Sequence, residues 1–347
     1  MKLCRGKNPT TASTKPLVTI TGITGYVGSQ VCMTFIDSGK FRVRGTVRSK
    51  DNAAKIDPLK KAFGDKFEEI ELVEADLLQP ETIMEACKGS DYVVHVASPF
   101  PLAPPENEDD LIKPALEGTT SVMNAAIAAG VKKVVLTSSV VSIGMGWPLD
   151  KTVFTEEDWS KPENFKVPDF AAYAKSKMLA EKKAWDMVEE HKGKIELVAI
   201  NPGLVVGPNL VASSFSSGDL VGGCLAGGMP EIPPTYFPMV DVRDVARAHL
   251  EGVLRDEANG KRFILNCEGK WVVDIATILK TSGEFSKYAT HETEAEKDTT
   301  GLKPFAQPMT FDNSASKDIL GIEYIPLEKS LVEMGKSLIA TGYIPAM

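Results

Sequence analysis

Residues Leu17–Gly28 read LVTITGITGYVG. Leu17, Val18, Thr19 and Ile20 form an apolar, β-branched run that predicts a buried strand. Gly22, Gly25 and Gly28 follow at three-residue intervals, and Val27, Val31 and Phe35 then recur on one helical face. Glycine permits a tight turn, close approach of backbone to a ligand, and close packing of helix on strand. The first N–H groups of such a helix are unpaired and point at the turn, which makes a seat for a pyrophosphate. T-G-x-x-G-x-x-G is related in spacing to the dinucleotide fingerprint G-x-G-x-x-G. Its weight comes from the strand before it and the amphipathic helix after it.

Downstream, the helix should stop near Ser38, with Gly39 as its C′ residue. Phe41–Val47 then forms a second strand. An acidic residue after it would accept hydrogen bonds from the ribose of NAD; Arg48 instead suits a 2′-phosphate, so NADPH is favoured over NADH. Lys50 and Lys55 add charge nearby, although a solvated arginine opening a surface helix is the plainer alternative. Ala53–Phe63 reads as a helix with Ile56, Leu59 and Phe63 inward, and Ile70–Val73 as the third strand. Asp76, just past it, suits either an adenine amino group or the cap of the next helical turn. Pro80–Lys88 is a short helix. Tyr92–Ala97, YVVHVA, is a continuous apolar run and so a buried parallel strand, with His95 expected in the core. A long helix from about Asp110 to Ala129 and a strand at Val134–Thr137 follow. Strands alternating with helices specify an α/β fold, a doubly wound parallel sheet of Rossmann-like form. Right-handed crossovers bring the glycine turn, Arg48, Asp76, Ala97–Phe100 and Thr137–Ser139 to one edge.

Composition narrows the classes. The 347 residues carry a net charge of −8, which disfavours a nucleic-acid surface. Five dispersed cysteines and four histidines lack metal-ligand spacing, so no metal is expected and a reducing, cytoplasmic location is. No apolar run approaches a membrane span. Residues 1–16, basic and hydroxyl-rich, are expected to be a flexible tail.

Tyr173-Ala174-Lys175-Ser176-Lys177 places Tyr173 and Lys177 on one helical face, four residues apart. A phenol of pKa ~10 holds its proton too tightly to exchange it at neutral pH, and a neighbouring ammonium and a cationic nicotinamide ring both favour the phenolate. Lowering that pKa to ~7 corresponds to roughly 4 kcal/mol. Ser138 and Ser139, at the end of the fifth strand, offer a hydroxyl for a substrate carbonyl. Tyr173 would then be a general acid opposite an incoming hydride. A Y-x-x-x-K match by itself is common in a lysine-rich helix; its place after a TSS strand end gives it meaning.

TGITGYVG, the TVRS ending of the second strand, ADL, VVHVASP, VVLTSS, YAKSK and NPGLVVGP together resemble the extended short-chain dehydrogenase/reductases. More narrowly they are similar to the dihydroflavonol reductase, cinnamoyl-CoA reductase and methylglyoxal reductase group, densely over Leu17–Pro208. The resemblance implies a catalytic Ser139, Tyr173 and Lys177, with Lys177 also on the cofactor ribose. It implies that Gly22, Thr24, Gly25, Tyr26, Val27 and Gly28 surround the pyrophosphate and that Arg48 and Lys55 hold the 2′-phosphate. Asp76 and Leu77 match the adenine pocket, Ala97 and Ser98 the nicotinamide ribose, and Pro202, Gly203 and Val205 the nicotinamide amide. Two departures bear on substrate. Cinnamoyl-CoA reductases carry N-W-Y-C-Y-x-x-x-K, where this chain has Asp169-Phe170-Ala171-Ala172 before the tyrosine, which argues against a CoA thioester. Dihydroflavonol reductases place Asn or Asp where Gly144 stands, which argues against a flavonoid.

Ile195–Ile200 is the sixth strand of the sheet, broken by Asn201-Pro202-Gly203. The domain reading is a cofactor domain over 17–205, returning at about 237–267, and a smaller C-terminal substrate-binding lobe over 206–236 and 268–347. Helices are expected near Leu220–Ala226, in DVRDVARAHLEGVL, at Val273–Lys280 and at Leu327–Ala340, with HETEAEKDTTG a charged loop. Phe100 and Met145, with Ser139 and Tyr173, are candidate substrate contacts; Trp147, Phe215, Met229 and Tyr236 are looser ones. The expected activity is NADPH-dependent reduction of an aldehyde or ketone on a small, largely apolar molecule, by a monomer or homodimer. Alternatives are an NDP-sugar epimerase or dehydratase, a hydroxysteroid dehydrogenase-like enzyme, and a cofactor-sensing regulator, which would be expected to lose Tyr173 or Lys177.

Overall fold

The structure is a computed structural model that describes residues 15–98, 107–164, 168–213, 215–228, 231–288 and 307–347, with backbone alone for 168–170. In chain order the strands are β1 (Leu17–Ile20), β2 (Arg42–Val47), β3 (Ile70–Glu74), β4 (Tyr92–His95), β5 (Lys133–Thr137), β6 (Val153–Phe154), β7 (Glu196–Pro202), β8 (Leu204–Val206), β9 (Tyr236–Asp241), β10 (Lys261–Leu265), β11 (Glu268–Trp271) and β12 (Thr310–Phe311). The helices are α1 (Tyr26–Ser38), α2 (Ala53–Phe63), α3 (Pro80–Cys87), α4 (Asp109–Ala128), α5 (Pro168–Glu190), α6 (Ser216–Ala226), α7 (Val242–Leu254), α8 (Val272–Thr281), α9 (Ser314–Asp318) and α10 (Leu327–Ala340).

Seven strands pair in parallel in the order β10-β7-β5-β4-β1-β2-β3. Consecutive residues of each strand serve opposite faces. Val94, Val135 and Val198 join one core with Val31 and Phe35 of α1 and Val245 of α7. Val93, Val134 and Leu197 join another with Ile83 of α3, Val122 of α4 and Ala184 of α5. Helices thus cover both faces, as a sheet of continuous apolar strands requires. The strand order reverses at β1, between β2 and β4. The crevice beyond the ends of β1 and β4 is the switch point where such sheets take ligands.

Two strand ends lie two residues from their expected places. β4 stops at His95, because the Thr21 hydroxyl takes the N–H groups of Val96 and Ala97, each at 3.0 Å, and leads the chain out of the ladder. β7 continues through Asn201 and Pro202. Ser138 N–H takes the Ile200 carbonyl at 2.7 Å just past the end of β5, while Gly203 N–H bonds Leu265 O at 3.0 Å on the other side. Proline is tolerated where the ladder has run out.

A separate apolar core includes Val206, Leu225, Met239, Ile275, Leu331 and Leu338, drawn from the small sheet β11-β9-β8 and from α6, α8 and α10. β12 pairs with β6, and Phe154 and Phe311 of these strands join an apolar cluster with Val140, Ile143 and Met145. Residues 1–14 of the expected tail, Phe100, Met229 and the charged stretch 291–301 lie outside the described residues. Among the described residues, no helix is long and apolar enough to cross a membrane, and no group of three or more His, Cys, Asp or Glu is placed to hold a metal.

Candidate active site

The glycine turn follows β1. Gly22 has φ 73°, and a Cβ there would stand 2.8 Å from Ala97 Cβ; a Cβ on Gly28 would stand 2.2 Å from the Gly22 carbonyl oxygen. No larger residue fits either position without moving backbone. Gly25 N–H closes the turn on Gly22 O at 3.1 Å. α1 begins directly after it with no side-chain cap and no acid in its first turn, so its leading N–H groups remain for an anion. This cradle fits a dinucleotide pyrophosphate. Thr24 is partly exposed in the turn, while Val27 packs against the core. The Tyr26 side chain turns away: its hydroxyl donates to Gly207 O at 2.9 Å and its ring stacks on Phe215 at 4.1 Å.

β2 lies beside β1, so Arg48, one residue past it, shares the same edge, and its side chain is exposed. Lys55 is exposed in the first turn of α2. Asp76 Oδ1 accepts Leu78 N–H at 3.0 Å, and Asp76 N–H donates to Thr82 Oγ1 at 2.9 Å. The Leu78 bond closes a turn ahead of α3, whose N-cap is Gln79 with no side-chain cap, so Asp76 does not cap the helix.

Tyr173 and Lys177 lie one turn apart on α5, and the Tyr173 phenol shares a hydrogen bond with the Ser139 side chain. Ser139, immediately after Ser138 at the end of β5, is buried; its Oγ accepts Val141 N–H at 3.3 Å and donates to Pro202 O at 3.5 Å. That contact brings Pro202 beside the serine. A Cβ on Gly203 would meet Pro238 O at 2.3 Å, and Val205 pairs with Val240 in the β8–β9 ladder.

Lys177, Leu77, Ala97, Ser98, Ser138 and His95 border one cleft. Lys177, Leu77, Ala97 and Ser98 are among the expected cofactor contacts, and Ser138 is one of the two serines offered for a substrate carbonyl. Burial sets the electrostatics. It pushes the Tyr173 phenol up to about 12, against the lowering effect of the Ser139 bond, and the Lys177 ammonium down to about 8. The protein's own groups thus raise the phenol, because the loss of water around Tyr173 outweighs the Ser139 bond; the lowering expected from the sequence includes the charge of a nicotinamide ring. His95 is buried, as its apolar neighbours predict, and burial together with the Lys177 charge lowers it to about 3. Thr21 Oγ1 already accepts two N–H groups, so its proton goes to His95 Nδ1 at 3.0 Å and the neutral ring keeps its hydrogen on Nε2.

Met145, a candidate substrate contact, is buried with Phe154, Met309 and Phe311. Phe215 is stacked on Tyr26, Tyr236 lies edge-on to Trp271, and Trp147 donates to Ile143 O at 3.2 Å. Sequence reasoning misses a buried acid. Glu181, one turn beyond Lys177, accepts Arg262 Nε at 2.6 Å, Ser138 Oγ at 2.5 Å, Ser142 Oγ at 2.8 Å and Asn201 Nδ2 at 2.9 Å. Burial would raise its carboxyl, but Arg262 and the two serine hydroxyls hold it below the usual carboxylate range. The available signal is spacing: Tyr173, Lys177 and Glu181 recur every four residues, so the acid shares their buried face.

Such a sheet, glycine cradle and Tyr–Lys helix define an extended short-chain dehydrogenase/reductase. The chain belongs to the 3-beta hydroxysteroid dehydrogenase/isomerase family, whose model matches residues 19–215. It is 35% identical over 330 residues to cinnamoyl-CoA reductase 1 of Petunia hybrida, covering 95% of this chain and 94% of that one. It is 36% identical over 334 residues to cinnamoyl-CoA reductase 1 of Oryza sativa subsp. japonica, covering 95% and 93%. Among solved structures, yeast methylglyoxal/isovaleraldehyde reductase complexed with NADPH superposes with a TM-score of 0.78 at 27% identity, covering 94% of this chain and all of that one.

Proposed function

We propose that the chain is an NADPH-dependent carbonyl reductase acting on an aldehyde or ketone of a small, largely apolar molecule. One observation carries this reading: Tyr173 is hydrogen-bonded to Ser139 one helical turn from Lys177, which borders a cleft past the ends of β4 and β5. The glycine cradle would hold the pyrophosphate, Arg48 and Lys55 the 2′-phosphate, Leu77 and Asp76 the adenine, and Ala97, Ser98 and Lys177 the nicotinamide ribose. Pro202, Gly203 and Val205 would border the amide. When bound, the cofactor supplies the hydride and, once oxidised, a positive charge beside the phenol. Tyr173 gives its hydroxyl proton to the carbonyl oxygen as negative charge develops there, and Ser139 holds that oxygen by a hydrogen bond. The phenol of about 12 is a weak donor in the protein alone, so added positive charge is what brings it into working range.

A Cβ at Gly144 would stand 2.6 Å from the Phe311 ring, so a polar side chain has no room there. This supports a substrate without flavonoid hydroxyls. Reduction of a CoA thioester is the second reading, favoured by the likeness to cinnamoyl-CoA reductases. The test is NADPH and NADH oxidation with methylglyoxal, isovaleraldehyde, a ketone series and cinnamoyl-CoA. Turnover of free carbonyls with NADPH is expected; turnover confined to the thioester installs the second reading, and inactivity throughout with intact NADPH binding revives the sensor.

A further inference from the structure

We propose that the buried pair Glu181–Arg262 is a positioning device that fixes the Ser139 peptide opposite Tyr173, an inference that rests on the proton-transfer reading above. The Ser139 carbonyl oxygen accepts Ser142 Oγ at 2.7 Å and Asn201 Nδ2 at 3.3 Å. The Ser142 backbone N–H also bonds this oxygen, at 3.0 Å, and both side-chain donors are held by the pair. Glu181 Oε2 accepts Asn201 Nδ2 at 2.9 Å and Ser138 Oγ at 2.5 Å, and Arg262 Nη2 donates to Ser142 Oγ at 3.2 Å. Arg262 is itself anchored: Nη1 donates to Glu156 O and Asp158 O, both at 2.7 Å, and its guanidinium lies 3.8 Å over the Trp159 ring. Glu181 also accepts Trp185 Nε1 at 3.3 Å on its own helix. One carboxylate thereby joins α5, which carries Tyr173 and Lys177, to the ends of β5 and β7 and to β10.

The placement is what calls for a role. A buried ion pair adds little net stability over packed apolar side chains, because both charges must be stripped of water. This one lies directly behind Ser139, eight residues along α5 from Tyr173, where reacting groups must be held to within ~0.5 Å. Ser142 has one proton and three acceptors in reach, the Ser139 carbonyl, Glu181 Oε2 at 2.8 Å and Ser138 Oγ at 3.3 Å. The carboxylate's other donors decide which acceptor receives it, and so decide how firmly the serine peptide is held.

Glu181→Asp and Arg262→Lys keep the charges and change the geometry. Both are assayed with NADPH and isovaleraldehyde beside Tyr173→Phe, with NADPH affinity read by fluorescence titration and folding by thermal melting. The expected result is a fall in kcat of about 10–100-fold, the size a misplacement near 1 Å produces, with substrate KM and NADPH affinity changed by less than about threefold. The Arg262→Lys loss should exceed that of Ser142→Ala, which removes one hydroxyl and no charge. Values of kcat within about twofold of the parent, once corrected for folded fraction, overturn the proposal. Should neither charged variant fold, Ser142→Ala decides by the same limits. Loss of turnover in Tyr173→Phe with full turnover in the network variants sinks this inference alone; full turnover in Tyr173→Phe sinks the proton-donor reading.

Discussion

Tyr173 and Lys177 sit in the same dry place, and dryness pushes a phenol and an ammonium in opposite directions along the pH axis. Tyr173→Phe removes the proposed proton donor and almost no volume, so NADPH affinity should stay within about twofold while kcat falls by about 10²–10⁴; paired titration and turnover measurements check this. Lys177 makes a different prediction. Its folded value of about 8 lies below the ordinary 10.5, so between those limits it is neutral when folded and charged when unfolded. Unfolding then takes up a proton, and stability rises with pH across that window. Lys177→Met, free of the buried ammonium, should melt above the parent at pH 7, and the gap should narrow as pH climbs from 8 towards 10. A gap independent of pH would show that burial does not depress this amine.

Gly28→Ala tests the turn. The new Cβ would lie 2.2 Å from Gly22 O, so the turn must open; NADPH affinity should fall at least about 100-fold and stability by about 1–3 kcal/mol, read by titration and by denaturant melts. Elements of this kind are legible because their physics is local. α2 spans Ala53–Phe63 with Ile56, Leu59 and Phe63 buried, a period visible in any window of that length. Gly39 ends α1 at φ 63°, a position that favours glycine whatever surrounds it. The extension of β7 through Pro202 is not legible, because it depends on where β5 stops. Nor is the role of Glu181: its partners Arg262, Asn201 and Ser138 are brought to it only when three strands align. Tyr26 has the same lesson in reverse, since a residue inside a readable motif spends its side chain on a distant loop.

For the molecule taken entire, cofactor binding and stability are one equilibrium. NADPH at a hundredfold excess over its Kd should add about 2.7 kcal/mol and raise the melting temperature by several degrees. NADH should add less, and Arg48→Ala should erase most of the difference between them; equal losses for both cofactors would remove Arg48 from the 2′-phosphate. The core around Val206, Leu225 and Leu331 shares no strand with the parallel sheet, so changes to its far side should leave that difference intact. Tyr26 nevertheless packs against a residue of that second core. Its ring against Phe215, worth about 0.5–1.5 kcal/mol beyond area, and its hydroxyl on Gly207 form a latch at the very start of α1. Swinging Phe215 outward would break its stack on the first residue of α1, so the packing of that distant loop is tied to the residue that follows the glycine turn.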